Sequence, residues 1–208
     1  MPIFRIESKL VYFCHIPKCG GTAVSRYIKA RFGQVAFLDE AYLAIRDPWS
    51  KTSPQHISAD DLGNLFPANF FDASFAVVRH PVPRIISEYH FRRDIEKSIA
   101  ENLSFSDWLK NILEVYSGSR LALDNHLRPM CEMVPNSSLV FKLEFGLERV
   151  VSFLDELAND QSGPRTVERA QQRPETIEAS VPSQEDVALI EEFYSRDFDR
   201  FEYKRQSF

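Results

Sequence analysis

The chain has 208 residues, 44% of them apolar, which is enough for one α/β domain with a full core. Its formal net charge of −5 leaves no global basic field for nucleic acid, so any polyanion it takes must meet a local basic cluster. Three cysteines, Cys14, Cys19 and Cys131, are too few for a disulfide framework, and no second Cys/His pair follows Cys14 and Cys19 to complete a zinc site.

Residues 1–9 carry charges where a signal peptide needs an apolar run, and no stretch approaches the roughly 18 apolar residues of a membrane span. They read as a short lead-in, and the chain as a soluble, cytoplasmic protein. Leu10–Cys14 is rich in β-branched and aromatic residues and reads as the first, buried strand. A tight loop with Pro17, Lys18, Gly20 and Gly21 follows. Thr22 can cap a helix over 23–32, whose apolar positions Val24, Tyr27 and Ile28 share one face, and Gly33 suits its end. Val35–Asp39 can form another short strand ending in an acid. Residues 40–57, with Pro48, Trp49 and Pro54, read as a loop over the site.

Ser58–Asp61 is a capped helix start with Leu62, Leu65 and Phe66 as its apolar face. Phe75–Arg79 is a second buried strand. After the turn at His80–Pro83, a helix shows Val82, Ile85, Ile86 and Tyr89 in one stripe. Phe105, Trp108, Leu109, Ile112, Leu113 and Tyr116 repeat the stripe up to Ser117 and Gly118. Leu139–Phe141 is a third strand, and a helix follows from Gly146 to Leu157. Residues 159–182 are polar, with Gly163, Pro164, Pro174 and Pro182, and read as a long loop. Ser183 and Asp186 then open a last helix. Strands alternating with helices argue for a mostly parallel sheet flanked by helices, in a single domain over 1–208.

A strand, a Gly-rich loop and a helix N-terminus make an anion site. The loop amides and first helical N–H groups lack partners, the helix dipole favours negative charge, and Lys18 adds a cation. Ligands of such sheets bind past the carboxyl ends of the strands. The segments Cys14–Gly21 and Arg79–Pro81 both lie there, so they converge on one site.

These two segments carry a resemblance. His15-Ile-Pro-Lys-Cys-Gly-Gly-Thr22 resembles the 5′-phosphosulfate loop of the sulfotransferases, in particular the carbohydrate and heparan sulfate 2-O-sulfotransferase branch with its bacterial members. Arg79-His-Pro-Val-Pro-Arg-Ile-Ile-Ser-Glu-Tyr89 resembles that family's 3′-phosphate segment. The resemblance implies a P-loop-NTPase-like three-layer sandwich and the donor 3′-phosphoadenosine-5′-phosphosulfate, with no metal required. It implies that Pro17, Lys18, Cys19, Gly20, Gly21, Thr22 and Ala23 hold the 5′ end and that Arg79 and Ser87 hold the 3′-phosphate. Arg173, at the end of the polar loop, matches the family's late loop over the nucleotide. Lys18 takes the family's role of stabilising charge on the leaving oxygen. Arg84 also matches the pattern, either as a phosphate contact or as a salt bridge holding the turn.

Removing the proton of an acceptor hydroxyl needs a group titrating near the working pH, and the chain has five histidines. His56, just before a helix, resembles the stretch that supplies the catalytic His of the uronyl 2-O-sulfotransferases, with Gln55 where that stretch has Gly. His126 is the second candidate. His126 and Arg128 fall where relatives carry acceptor-side polar residues. The implied acceptor is a hydroxyl on a carbohydrate or glycoconjugate, with no nucleic-acid partner. Two other classes remain open. A P-loop kinase could use Asp39 as an acidic strand end, although G-x-x-x-x-G-K-[ST] is absent and Lys18 precedes the Gly pair. A non-catalytic nucleotide-binding domain would keep the same fold.

Overall fold

The computed structural model describes residues 1–39, 41–42, 50–168, 170 and 180–205. Four strands form one sheet in the order β1-β2-β3-β4, namely Ile3–Ile6, Lys9–Cys14, Ala73–Val78 and Leu139–Lys142. β2, β3 and β4 run parallel, and β1 folds back antiparallel on β2. The lead-in expected at 1–9 is thus the outer strand of a hairpin. Ile3, Phe4 and Ile6 are all buried, and Glu7 turns the chain at φ 53°. The strand expected at Val35–Asp39 reduces to one antiparallel bridge between Ala36 and Ile3. An acidic strand end at Asp39 therefore does not form.

Seven helices accompany the sheet among the described residues: α1 Gly21–Phe32, α2 Ala59–Leu65, α3 Pro81–His90, α4 Phe105–Gly118, α5 Glu148–Ala158, α6 Gln184–Phe193 and α7 Ser195–Arg200. Side-chain caps begin three of them where short polar residues precede an apolar stripe. Ser58 accepts from Asp61 N, Ser104 accepts from Asp107 N, and Ser183 with Asp186 forms a full capping box. Thr22 does not cap α1. The N-cap is Gly20 at φ 80°, and Thr22 lies inside the first turn. α3 begins two residues before Pro83, at Pro81, with His80 accepting from Val82 N.

The sheet is covered on both faces, which makes a three-layer α/β sandwich. Val11, Phe13, Phe75 and Val77 pack against α1 and α5 through Val24, Ile28, Val150 and Leu154. The alternate residues Tyr12, Cys14, Ala76 and Val78 pack against Leu62 of α2, Met130, Met133 and Phe201. Phe13 and Phe75 expose nothing and stack at 4.9 Å, and each contributes about 1.5–3 kcal/mol of burial. Cys14 is a buried thiol donating to Met133 O. A third apolar cluster joins α3, α4, α6 and α7 around Tyr89, Trp108 and Phe198. No helix among the described residues is long and apolar enough to cross a membrane.

Candidate active site

The chain leaves β2 through a loop bent by two left-handed residues, Lys18 at φ 64° and Gly20 at φ 80°. Gly21 must be glycine because a Cβ there would lie 2.0 Å from the His15 ring. The N–H groups of Gly21, Thr22 and Ala23 have no intrahelical acceptor, as at any helix start, so α1 offers both its dipole and these donors to the loop side. Lys18 Nζ sits 3.9 Å from the Phe91 ring centroid. Burial draws the Lys18 ammonium down to about 8, opposed by the charge of Glu88. Phe91 opens a π-helical turn, Phe91–Ile95, that prolongs α3. Such turns are common at functional sites.

Arg79 follows β3 directly and reaches Lys18 O at 3.4 Å. Ser87 stands two turns into α3. Arg84 is wholly buried and contacts neither the cleft nor an acidic partner at salt-bridge distance. Its guanidinium donates to Pro17 O at 3.2 Å, to His126 O at 2.8 Å and to Arg128 O at 3.1 Å. Of the two readings open in the sequence, a phosphate contact or a salt bridge holding the turn, neither matches these contacts: Arg84 ties the Pro17 loop to the 126–128 segment through three carbonyls.

His56 lies in a short 3-10 turn, Pro54–His56, before α2. Its Nδ1 is 2.7 Å from Asp124 Oδ2. Ser53 fixes the same carboxylate through its hydroxyl at 2.5 Å and its amide at 2.6 Å. These partners and His56 hold Asp124 below its usual pKa against the opposing effect of burial. An ionised carboxylate only accepts, so His56 carries its proton on Nδ1 and leaves the Nε2 lone pair available. Burial pushes the imidazole down to about 4, against the Asp124 hydrogen bond. Leu123, Asp124 and Asn125 are three successive left-handed residues, with φ of 52°, 58° and 63°. Such non-glycine conformations cost about 1–2 kcal/mol each and cluster at functional sites. Asn125 Nδ2 ties this turn to His56 O at 2.8 Å.

A second pair stands alongside. His126 Nδ1 lies 2.7 Å from Glu88 Oε2, and the His126 and His56 rings are perpendicular with centroids 4.9 Å apart. His15 edges His56 at 5.2 Å. Ligand atoms of His56, Asp124 and His126 all lie within 4.8 Å of one another, so this set has the donors and spacing to take a metal ion.

Pro17, Lys18, Gly20, Gly21, Thr22, Ala23, His56, Arg79, Ser87 and His126 line one cleft of about 1360 Å³. Cys19 does not. It is fully buried in the core, with its thiol on Met130 and its N–H on Ile16 O. Arg128 also lies off the cleft, facing Glu132 at 3.7 Å and Asp61 at 4.0 Å. Arg173 and Trp49 lie outside the described residues. Sequence reasoning missed Asp124, Glu88 and Ser53. Asp124 sits two residues before a candidate histidine, and that adjacency was its one signal.

The arrangement combines an anion cradle with a neutral, oriented imidazole, which suits transfer of an anionic group to a hydroxyl. The sequence model of the sulfotransferase family matches residues 2–204. Among curated proteins and among solved structures, nothing matches the chain.

Proposed function

The chain belongs to the sulfotransferase family, and on that premise we propose that it moves a sulfuryl group from 3′-phosphoadenosine-5′-phosphosulfate to a hydroxyl acceptor on a carbohydrate or glycoconjugate. One observation carries the reading. Lys18, Arg79 and Ser87, from two strand ends, share a cleft with the His56–Asp124 pair.

The residues present fit the nucleotide. The glycine at 21 keeps the helix start open where a Cβ would meet the His15 ring, and the amides there lack protein acceptors. Arg79 brings a planar fork of donors suited to a phosphate, and Ser87 a short neutral one. When bound, the nucleotide supplies a sulfuryl group activated on its 5′-phosphate. Lys18 steadies negative charge on the departing phosphate oxygen. His56 Nε2 takes the proton of the acceptor hydroxyl, while Nδ1–H stays on Asp124. Positioning and charge neutralisation do most of the remaining work, so the scheme calls on no metal.

The test is calorimetric titration with 3′-phosphoadenosine-5′-phosphate in the presence of a chelator. Stoichiometric binding at micromolar affinity or tighter is expected. Binding of ATP with magnesium, and none of the desulfated nucleotide, would overturn the reading in favour of a kinase.

A further inference from the structure

We infer that the acceptor presents its hydroxyl on a neutral or amine-bearing unit, and not on one carrying a carboxylate or sulfate. The inference rests on the sulfuryl-transfer reading and narrows its acceptor.

The charges around the base decide it. Asp39 lines the cleft; its backbone is tied to Gln55, the residue before His56, with its amide 3.2 Å from Oε1 and its carbonyl 3.1 Å from Nε2, and its carboxylate accepts from Ala41 N at 3.0 Å. Asp124 is on His56 itself. On the His126 side, Glu96 also lines the cleft. Arg92 lines it too, but its charge is already taken, by Glu88 at 2.7 Å and by Glu96 at 2.6 Å. Lys18 and Arg79 are the other cations of the described lining, and an anionic donor occupies both. Among the described lining residues, Arg92 and His126 both face Glu88, so the carboxylates Asp39 and Asp124 have no arginine or lysine of the lining paired with them.

An anionic unit on the acceptor would meet Asp39, Asp124 and the one negative charge by which Glu88 and Glu96 together outnumber Arg92, as well as the donor's own charge. Partial burial strengthens each repulsion relative to bulk water. An ammonium would instead be drawn in, and a neutral sugar would meet no electrostatic penalty. Leu38, Leu123 and Ile95 give such a ring apolar surface to lie against.

The experiment measures kcat/KM with matched oligosaccharides that differ only in the unit that carries the reacting hydroxyl: glucosamine, N-acetylglucosamine or glucuronate. The amine-bearing and neutral acceptors should exceed the uronate by about tenfold or more, the discrimination that about 1.4 kcal/mol of repulsion supplies. Asp39→Asn and Glu96→Gln, which keep shape and remove charge, should each narrow the ratio of amine-bearing to uronate acceptor. A uronate used as well as or better than the others overturns the inference, as does a ratio unchanged in both variants. Titration of the same preparations with 3′-phosphoadenosine-5′-phosphate separates the two readings. Uronate preference in an enzyme that binds the nucleotide defeats this inference alone, whereas failure to bind it defeats the sulfuryl-transfer reading beneath.

Discussion

The wholly buried carboxylate of Glu88 lies 2.7 Å from His126 Nδ1, so two imidazole–carboxylate pairs stand side by side in one cleft. Burial would raise the Glu88 pKa, but His126 and Arg92 hold it down to about 2. The pairs differ in surroundings. Asp124 is held by the neutral Ser53, whereas Glu88 shares its charge with Arg92. His56→Ala should lower kcat by about 10²–10⁴-fold and leave nucleotide affinity unchanged. His126→Asn should act mainly on the KM of the acceptor. Single-turnover assays beside nucleotide titrations check both. Wild-type turnover in His56→Ala would remove that residue from the chemistry.

His56 also sets a pH dependence. Its folded pKa, about 4, lies below the ordinary 6.5, so between these values the unfolded chain takes a proton that the folded chain refuses. The stability it contributes is complete above about pH 6.5 and is lost as the pH falls through about 4. Urea melts across this window should show the decline, while the acid limb of kcat/KM should lie well below 6.5.

Lys18 makes the opposite prediction at the alkaline side. Burial leaves it titrating near 8 in the free protein, and a bound anion raises that value. Nucleotide binding above about pH 8 should therefore take up a proton, seen as a binding enthalpy that varies with the ionisation enthalpy of the buffer. Lys18→Ala should abolish both this dependence and turnover.

Arg79→Ala should weaken nucleotide binding by about 10–100-fold, the scale of a lost charged hydrogen bond of about 1.5–3 kcal/mol. Ser87→Ala should cost less, about 1 kcal/mol. Neither should alter the acid limb set by His56. Titration calorimetry reads the first effect and the pH–rate profile the second.

Two glycines give a paired stability test. Gly21→Ala forces a methyl onto the His15 ring, which edges His56, so it should lower both the melting temperature and turnover. Gly63, inside α2, has nothing within 4 Å of the added methyl. Gly63→Ala should therefore stabilise the protein by about 0.4–1 kcal/mol by restricting the unfolded chain. Thermal melts compare the two directly.

The parallel strands and most helices were legible because their apolar residues recur with a period that only one element type can bury. β1 was not, since three buried apolar residues out of four make neither an alternation nor a turn signal. The glycine-rich loop was readable as an anion-site motif, because its residues are adjacent in sequence. The His56–Asp124 pair was only half readable. His56 and Asp124 are 68 positions apart, and the left-handed run Leu123–Asn125 that brings them together contains no glycine to announce it. Arg128 reads in sequence as an acceptor-side residue, but it faces local acids at Asp61 and Glu132 and does not line the cleft. Cys19 belongs to the loop motif, yet its side chain serves the core.

Arg84 joins the carbonyl of Pro17, one residue before Lys18, to those of His126 and Arg128. A single planar cation thus fastens the loop that carries Lys18 to the segment that carries His126. On the proposed reading, the gap that the sulfuryl group would cross is gauged by a side chain that does not line the cleft. A lysine could not reproduce that span, because one ammonium cannot face two loops in the geometry of a guanidinium. Of the two arginines in the motif, the proposed reading makes Arg79 a hand for the nucleotide and Arg84 the ruler that would keep donor and acceptor at working distance.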